Sequence, residues 1–151
     1  MRKAVLFPAL MSIVLIVSTR QARAEDLIHV EVVGLHNDIG QVGCSVYSSA
    51  DGFPTDQSKA LHSTLTPIKD KKATCDFSGL PAGHYAIAVM HDENSNGKVD
   101  RNFMGIPKEG VGASNDAKAS MGPPKFDDAS FAYGGSRKDM TVRITYLWAP
   151  M

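Results

Sequence analysis

Residues 85–90, Tyr-Ala-Ile-Ala-Val-Met, constrain this chain more than any other stretch. As a β-strand they place Tyr85, Ile87 and Val89 on one face and Ala86, Ala88 and Met90 on the other. Neither face belongs in water, so the strand must be central and covered on both sides. Other segments supply its neighbours. Ile28, Val30 and Val32 alternate with His29 and Glu31 up to Gly34, and Val42, Cys44 and Val46 alternate with Gln41, Gly43 and Ser45. Cys75 and Phe77 share one face of a short strand that stops at Gly79-Leu80-Pro81-Ala82-Gly83. Near the C-terminus Met140, Val142, Ile144 and Tyr146 alternate with Thr141, Arg143 and Thr145, a strand with one wet face. Residues 56–61 and 114–119 offer a helical turn or two each, the second with Ser114 as N-cap. Short strands with Gly/Pro turns and so little helix imply an all-β chain, an antiparallel β-sandwich.

The N-terminus reads as a targeting segment. Arg2 and Lys3 precede the apolar run Ala4 to Val17, and Ala22-Arg23-Ala24 fits the small-x-small cleavage rule. The run is short for a bilayer span and has no stop-transfer flank, and no cysteine at the cleavage point suggests a lipid anchor. Residues 1–24 are therefore expected to be a signal peptide, and 25–151 a single domain, periplasmic or secreted and not membrane-spanning. Without Arg2, Lys3, Arg20 and Arg23 the chain keeps 12 basic residues against 16 acidic ones. That balance, with only the short Lys69-Asp70-Lys71-Lys72 cluster, excludes a nucleic-acid-binding surface. In an oxidising compartment Cys44 and Cys75 are expected to form a disulfide, with Cα atoms within about 7 Å. They show no CxxC spacing and no neighbouring His, which argues against redox catalysis.

Residues 101–130 keep no strand or helix period but hold four glycines and three prolines. Loops this long in compact domains are usually functional or disordered. Phe103, Met104, Ile106, Val111, Met121, Phe126 and Phe131 give it apolar groups to bury, so it reads as an ordered excursion over one end of the sandwich.

Directly behind the central strand comes HDENSNGKVD, residues 91–100. Asp92, Asn94, Asn96 and Asp100 stand at positions 1, 3, 5 and 9 of a loop with Gly97 at 6 and Val99 at 8. A calcium loop wraps a hard cation in that order, with glycine at the sharp reversal. Lys98 would offer its main-chain carbonyl, Val99 would turn into the core, and Glu109 could fold back as a further ligand. Position 12 is Phe103, so the bidentate glutamate of an EF-hand is missing, and a strand precedes the loop where an EF-hand has a helix. Calcium binding is expected to be weak, around 10⁻⁴ to 10⁻³ M. The competing reading is an Asn-Gly turn with solvated side chains.

Other signals are thinner. His91, Lys108 and Asn115 are further candidate metal or ligand contacts around the same loop. No two histidines stand at zinc-ligand spacing in the sequence. No GxSxG, HExxH or phosphate-binding glycine loop occurs, and no residue is assigned a catalytic role. Trp148 reads as a packed anchor at the C-terminal end.

The run YAIAVMHDENSNGKVDRNFMGIPKEGVGASNDAKASMGPPKFDDASF resembles the signature of a secreted bacterial family, domain of unknown function 2141. The preceding FSGLPAGHYAIAV is similar to the strand-turn-strand of transthyretin-like and carboxypeptidase-regulatory-like sandwiches. The resemblance implies an exported sandwich of immunoglobulin/transthyretin-like type with one long ordered loop region, and it brings no activity or substrate. The function expected is a calcium-stabilised binding module for a small-molecule, glycan or protein ligand. The alternatives are a periplasmic hydrolase using the edge formed by residues 91–130, and a structural envelope interaction protein.

Overall fold

The computed structural model describes residues 26–147; the segment expected to be a signal peptide and Trp148 lie outside them. Eight strands form two sheets: β1 (Leu27–Val33), β2 (Gln41–Tyr47), β3 (His62–Pro67), β4 (Ala73–Ser78), β5 (Gly83–Asp92), β6 (Gly110–Ala113), β7 (Phe131–Tyr133) and β8 (Lys138–Arg143). One sheet runs β4-β1-β8 and the other β3-β2-β5-β6, with β7 also paired to β5. Pairing is antiparallel except between β1 and β8, which run parallel with Ile28 opposite Lys138. The protein is thus an all-β sandwich whose sheets are mostly antiparallel.

The alternating apolar residues meet between the sheets. Ile28, Val30 and Val32 of β1, Val42, Cys44 and Val46 of β2, and Tyr85, Ile87 and Val89 of β5 join one buried cluster with Phe77, Val142 and Ile144. Cys44 and Cys75 cross this core as a disulfide with Cα atoms 6.4 Å apart, linking β2 of one sheet to β4 of the other. The outer face of β5 is covered as well. Ala86 packs with Ala113 and Ala129, backed by Phe53 and Phe126. Small residues suit this layer because α1 (Phe126–Ala129), a single helical turn, lies close over the strand.

The region from residue 101 to 130 is therefore more than an excursion over one end. It contributes β6 to the sheet and α1 to the second layer. Gly110 is what lets β6 sit where it does: a Cβ there would stand 2.4 Å from Ile144 Cγ2 and 2.6 Å from Tyr146 Cε1. Of the apolar groups expected to bury, Phe131 is buried, but Phe103 and Met104 are 95% and 59% exposed and Met121 is fully exposed. Their loop is closed by its own polar groups, with Asn102 Oδ1 accepting from the Met104 and Ile106 amides, so it does not need their burial.

Ser114 corrects another expectation. It starts a 3₁₀ turn, Ser114–Asp116, but the residue at the cap position is Ala113, which makes no side-chain cap. On this edge β6 pairs with residues 88–91 of β5 and β7 with residues 83–85. The Ile87 amide falls in the gap between them, and the buried Ser114 hydroxyl fills it, accepting from Ile87 N at 2.9 Å and donating to Ala129 O at 2.6 Å. Ser114→Ala leaves a buried N–H and a carbonyl unpaired and is expected to destabilise by about 2 kcal/mol. Urea unfolding measures this, and a change below about 0.5 kcal/mol, the range of ordinary surface substitutions, would contradict it.

Candidate functional site

β5 ends on two buried polar residues that point opposite ways, as strand alternation requires. Asp92 opens the acidic loop and His91 faces the intersheet side, with Ile87 and Val89. The Asp92 carboxylate is fully buried and accepts from Asn96 N at 3.0 Å, Gly97 N at 2.8 Å and Gln41 Nε2 at 2.9 Å. Burial pushes its pKa up. The hydrogen bonds from Gln41 and from the Gly97 and Asn96 amides outweigh that and bring it below the ordinary aspartate value.

The alternate side chains then form a ladder. Asn94 Oδ1 accepts from Asn96 N at 3.1 Å, and Asn96 Oδ1 accepts from Lys98 N at 2.8 Å. Both amide groups turn to Asp100: Asn96 Nδ2 donates to Oδ1 at 3.1 Å and Asn94 Nδ2 donates to Oδ2. Ser95 and Gly97 take positive φ, 56° and 75°, to make the reversal. Glu109 folds back to the base of the loop. Its buried carboxylate accepts from Glu93 N and Asp100 N, both at 3.0 Å, and so clasps the two ends together. Asp92, Asn94, Asn96, Asp100 and Glu109 thus belong to one network.

In lone pairs, Asp92 Oδ2 is fully used by two donors. Asp92 Oδ1, both Asn Oδ1 atoms and both oxygens of Asp100 each accept one bond and keep one lone pair. The loop therefore holds its shape through backbone donors while its side-chain oxygens retain acceptor capacity. Lys98 is exposed, and Val99, expected to turn into the core, is half-buried and does not reach it.

The remaining candidates divide. His91 is fully buried, with Nε2 2.8 Å from Ile39 O and Nδ1 2.6 Å from the Tyr146 hydroxyl. Lys108 is exposed, and its amide donates to Asp100 O at 2.8 Å. Asn115 does not join the loop: in a left-handed conformation it donates to Asp128 O and Ser130 O, holding α1.

The other side of His91 carries no signal in the sequence. The 34–40 loop folds onto the end of β5 because Gly40, at φ 76°, brings its backbone so close that a Cβ would stand 2.1 Å from Asp92 O. This places His36 Nε2 2.6 Å from Glu93 Oε1, and Asn37 Nδ2 donates to the same oxygen at 2.8 Å. The His36 hydrogen bond lowers the Glu93 pKa; burial opposes it and the Asn37 amide adds to it. Tyr146 stacks on the His36 ring, 3.9 Å between centroids and 7° from parallel. Burial raises the Tyr146 pKa. Because the Ile39 carbonyl can only accept, His91 Nε2 carries a proton, and the neutral ring takes the Tyr146 hydroxyl at Nδ1. Two histidines with no metal-ligand spacing in the sequence are therefore neighbours, and a nitrogen of each and a Glu93 oxygen lie within 4.8 Å of one another. No local motif signals this, since His36 and Glu93 are 57 residues apart.

Fold and site together define a disulfide-linked β-sandwich that carries an acidic Asx-ladder loop at the end of its central strand. The chain belongs to the bacterial family described as "Uncharacterized protein conserved in bacteria (DUF2141)", whose model matches residues 30–141, from β1 through the acidic loop into β8. No curated protein and no solved structure matches the chain. Among the described residues, no helix is long and apolar enough to cross a membrane.

Proposed function

We propose that this protein is an exported, calcium-stabilised β-sandwich binding module. In this reading Asp92, Asn94, Asn96 and Asp100, with the Lys98 carbonyl, hold the ion, and the surface along residues 101–130 receives the ligand. The observation that carries it is that Asp92, Asn94, Asn96 and Asp100 are gathered into one network around a reversal at Gly97, with the Asn94 and Asn96 amide groups turned to Asp100 and acceptor capacity left on their oxygens. A hard dication suits such a set, because it takes six to eight oxygen ligands and tolerates irregular geometry. The buried disulfide supports export, since such bonds persist in oxidising compartments. The ligand edge is supported by Phe103 and Met104, which stand in solvent at the tip of the loop that follows the ion site. A small molecule, a glycan or a protein segment would each suit an apolar tip beside a polar loop. Binding is favoured over hydrolysis because His91 and Asn115, on the edge a hydrolase would use, are each engaged in internal hydrogen bonds.

Thermal unfolding in EDTA and in millimolar calcium chloride tests the ion. Calcium at 100 times its Kd is expected to add about 2.7 kcal/mol, because it binds the native state alone. Asp100→Ala should remove that increment, and Lys98→Ala should keep it, since only the carbonyl is used. Limited proteolysis should show slower cleavage in residues 101–130 when calcium is present. Equal melting points and cleavage patterns in both buffers would leave the loop as a hydrogen-bonded turn.

A further inference from the structure

On the opposite face of β5 from Asp92 lies a second cluster with a different ligand chemistry. We propose that His36, His91 and Glu93 bind a transition-metal dication of the zinc class, where the 34–40 loop meets the end of β5. The site is independent of calcium in the acidic loop. Two imidazoles and one carboxylate suit zinc, copper or nickel, whereas calcium and magnesium prefer oxygen ligands alone. A nitrogen from each histidine and an oxygen of Glu93 already lie within 4.8 Å of one another. Ligands of a tetrahedral zinc at about 2.0–2.1 Å stand roughly 3.3 Å apart, so the three need only small adjustments to close on an ion.

His91 is held as a metal-binding histidine should be. Its Nε2 gives its proton to the Ile39 carbonyl at 2.8 Å, which fixes the ring and leaves Nδ1 with the lone pair. Histidine ligands commonly donate their other N–H to such a carbonyl, and this orients them. The lone pair of Nδ1 is met by the Tyr146 hydroxyl, a rotatable group that a metal can replace. His36 is steered from two sides, by the stacked Tyr146 ring and by Glu93 Oε1 at its Nε2. The cluster is also reachable. Its floor, His91, is fully buried, while the side chains of His36 and Glu93 are 48% and 32% exposed, so an ion enters from solvent on their side. Three protein ligands leave a fourth position for water.

Isothermal titration of the untagged, EDTA-stripped protein with zinc chloride tests the assignment. One zinc per chain is expected. Loss of a residue that merely orients a ligand weakens binding by about 10–100-fold, so His36→Ala and Glu93→Gln should each weaken it by at least that much. Both side chains are partly exposed, so these variants avoid the folding risk of replacing His91, and their unfolding in EDTA checks that they fold. His84→Ala, at an exposed histidine elsewhere, and Asp100→Ala, in the acidic loop, should leave zinc affinity unchanged. Absence of zinc binding would overturn the proposal, and so would equal affinity in His36→Ala and the unaltered protein. A loss of zinc binding in Asp100→Ala alone would move the ion to the acidic loop.

Discussion

Without the Cys44–Cys75 bond, the sandwich is expected to lose about 3–4 kcal/mol of stability and roughly 10–15 °C of melting temperature. The bridge spans 31 residues, and in the chain-entropy model a closed loop of that size restricts the unfolded chain by about this amount. It also ties one sheet to the other, since β2 and β4 belong to different sheets. Both cysteines are buried in the intersheet core, so free thiols would still fill their places as small apolar groups. The loss should therefore appear mainly as a lower urea midpoint. The experiment compares urea unfolding of the oxidised protein with protein reduced while unfolded and refolded in reductant. Because the bond is buried, reductant added to the folded protein should act slowly. Equal midpoints for the two forms would show that the bond does not restrain the unfolded chain.

The parts of this fold legible in the sequence are those whose side chains bear the whole signal. β1, β2, β4, β5 and β8 announce themselves because alternate residues are apolar and end in the core, and the doubly apolar run 85–90 does prove to be covered on both faces. β3 is not legible. His62–Pro67 holds one aliphatic residue, Leu65, and it is exposed; the strand is held by its ladder to β2, which any side chain permits. β6 is hidden by its glycines, which strand propensity penalises but the approach of Ile144 and Tyr146 demands. The parallel pairing of β1 with β8 leaves no trace in period-two alternation. Apolar content also misleads about direction: Phe103 and Met104 are apolar and so promise burial, yet the loop's polar groups close it first.

The two site regions divide the same way. Asp92, Asn94, Asn96 and Asp100 are readable because the hydrogen bonds that join them within the loop span only two to six residues, so spacing encodes those contacts. Glu109 was within reach of the same logic. The His36, His91, Glu93 and Tyr146 group was not, because it is assembled by a turn after β1, the end of β5 and the segment after β8. Only the sheet topology supplies that juxtaposition.

Asp92→Ala is expected to destabilise the protein by about 3 kcal/mol at neutral pH, measured in EDTA so that no cation contributes. The carboxylate is fully buried and takes hydrogen bonds from two backbone amides and the Gln41 side chain. Hydrogen bonds to a charged group contribute about 1.5–3 kcal/mol each, and removing the acceptor strands its donors. Gln41 can turn towards water, so its bond adds little to the loss. The Asn96 and Gly97 amides cannot move without opening the reversal, so they carry most of it. The pH dependence separates this from a packing defect. The Asp92 pKa is lowered in the folded protein, so its contribution is complete above the ordinary aspartate pKa and disappears as pH falls through the lower folded value. The gap between the unaltered protein and Asp92→Ala should therefore be widest at neutral pH and narrow steadily in acid. Gln41→Ala should cost about 1 kcal/mol and leave the loop protected from proteolysis. Urea midpoints for the three proteins at pH 7 and below pH 3 decide the matter. A gap that stays constant with pH would mean that lost volume accounts for the effect, and that Asp92 does not hold the loop through its charge.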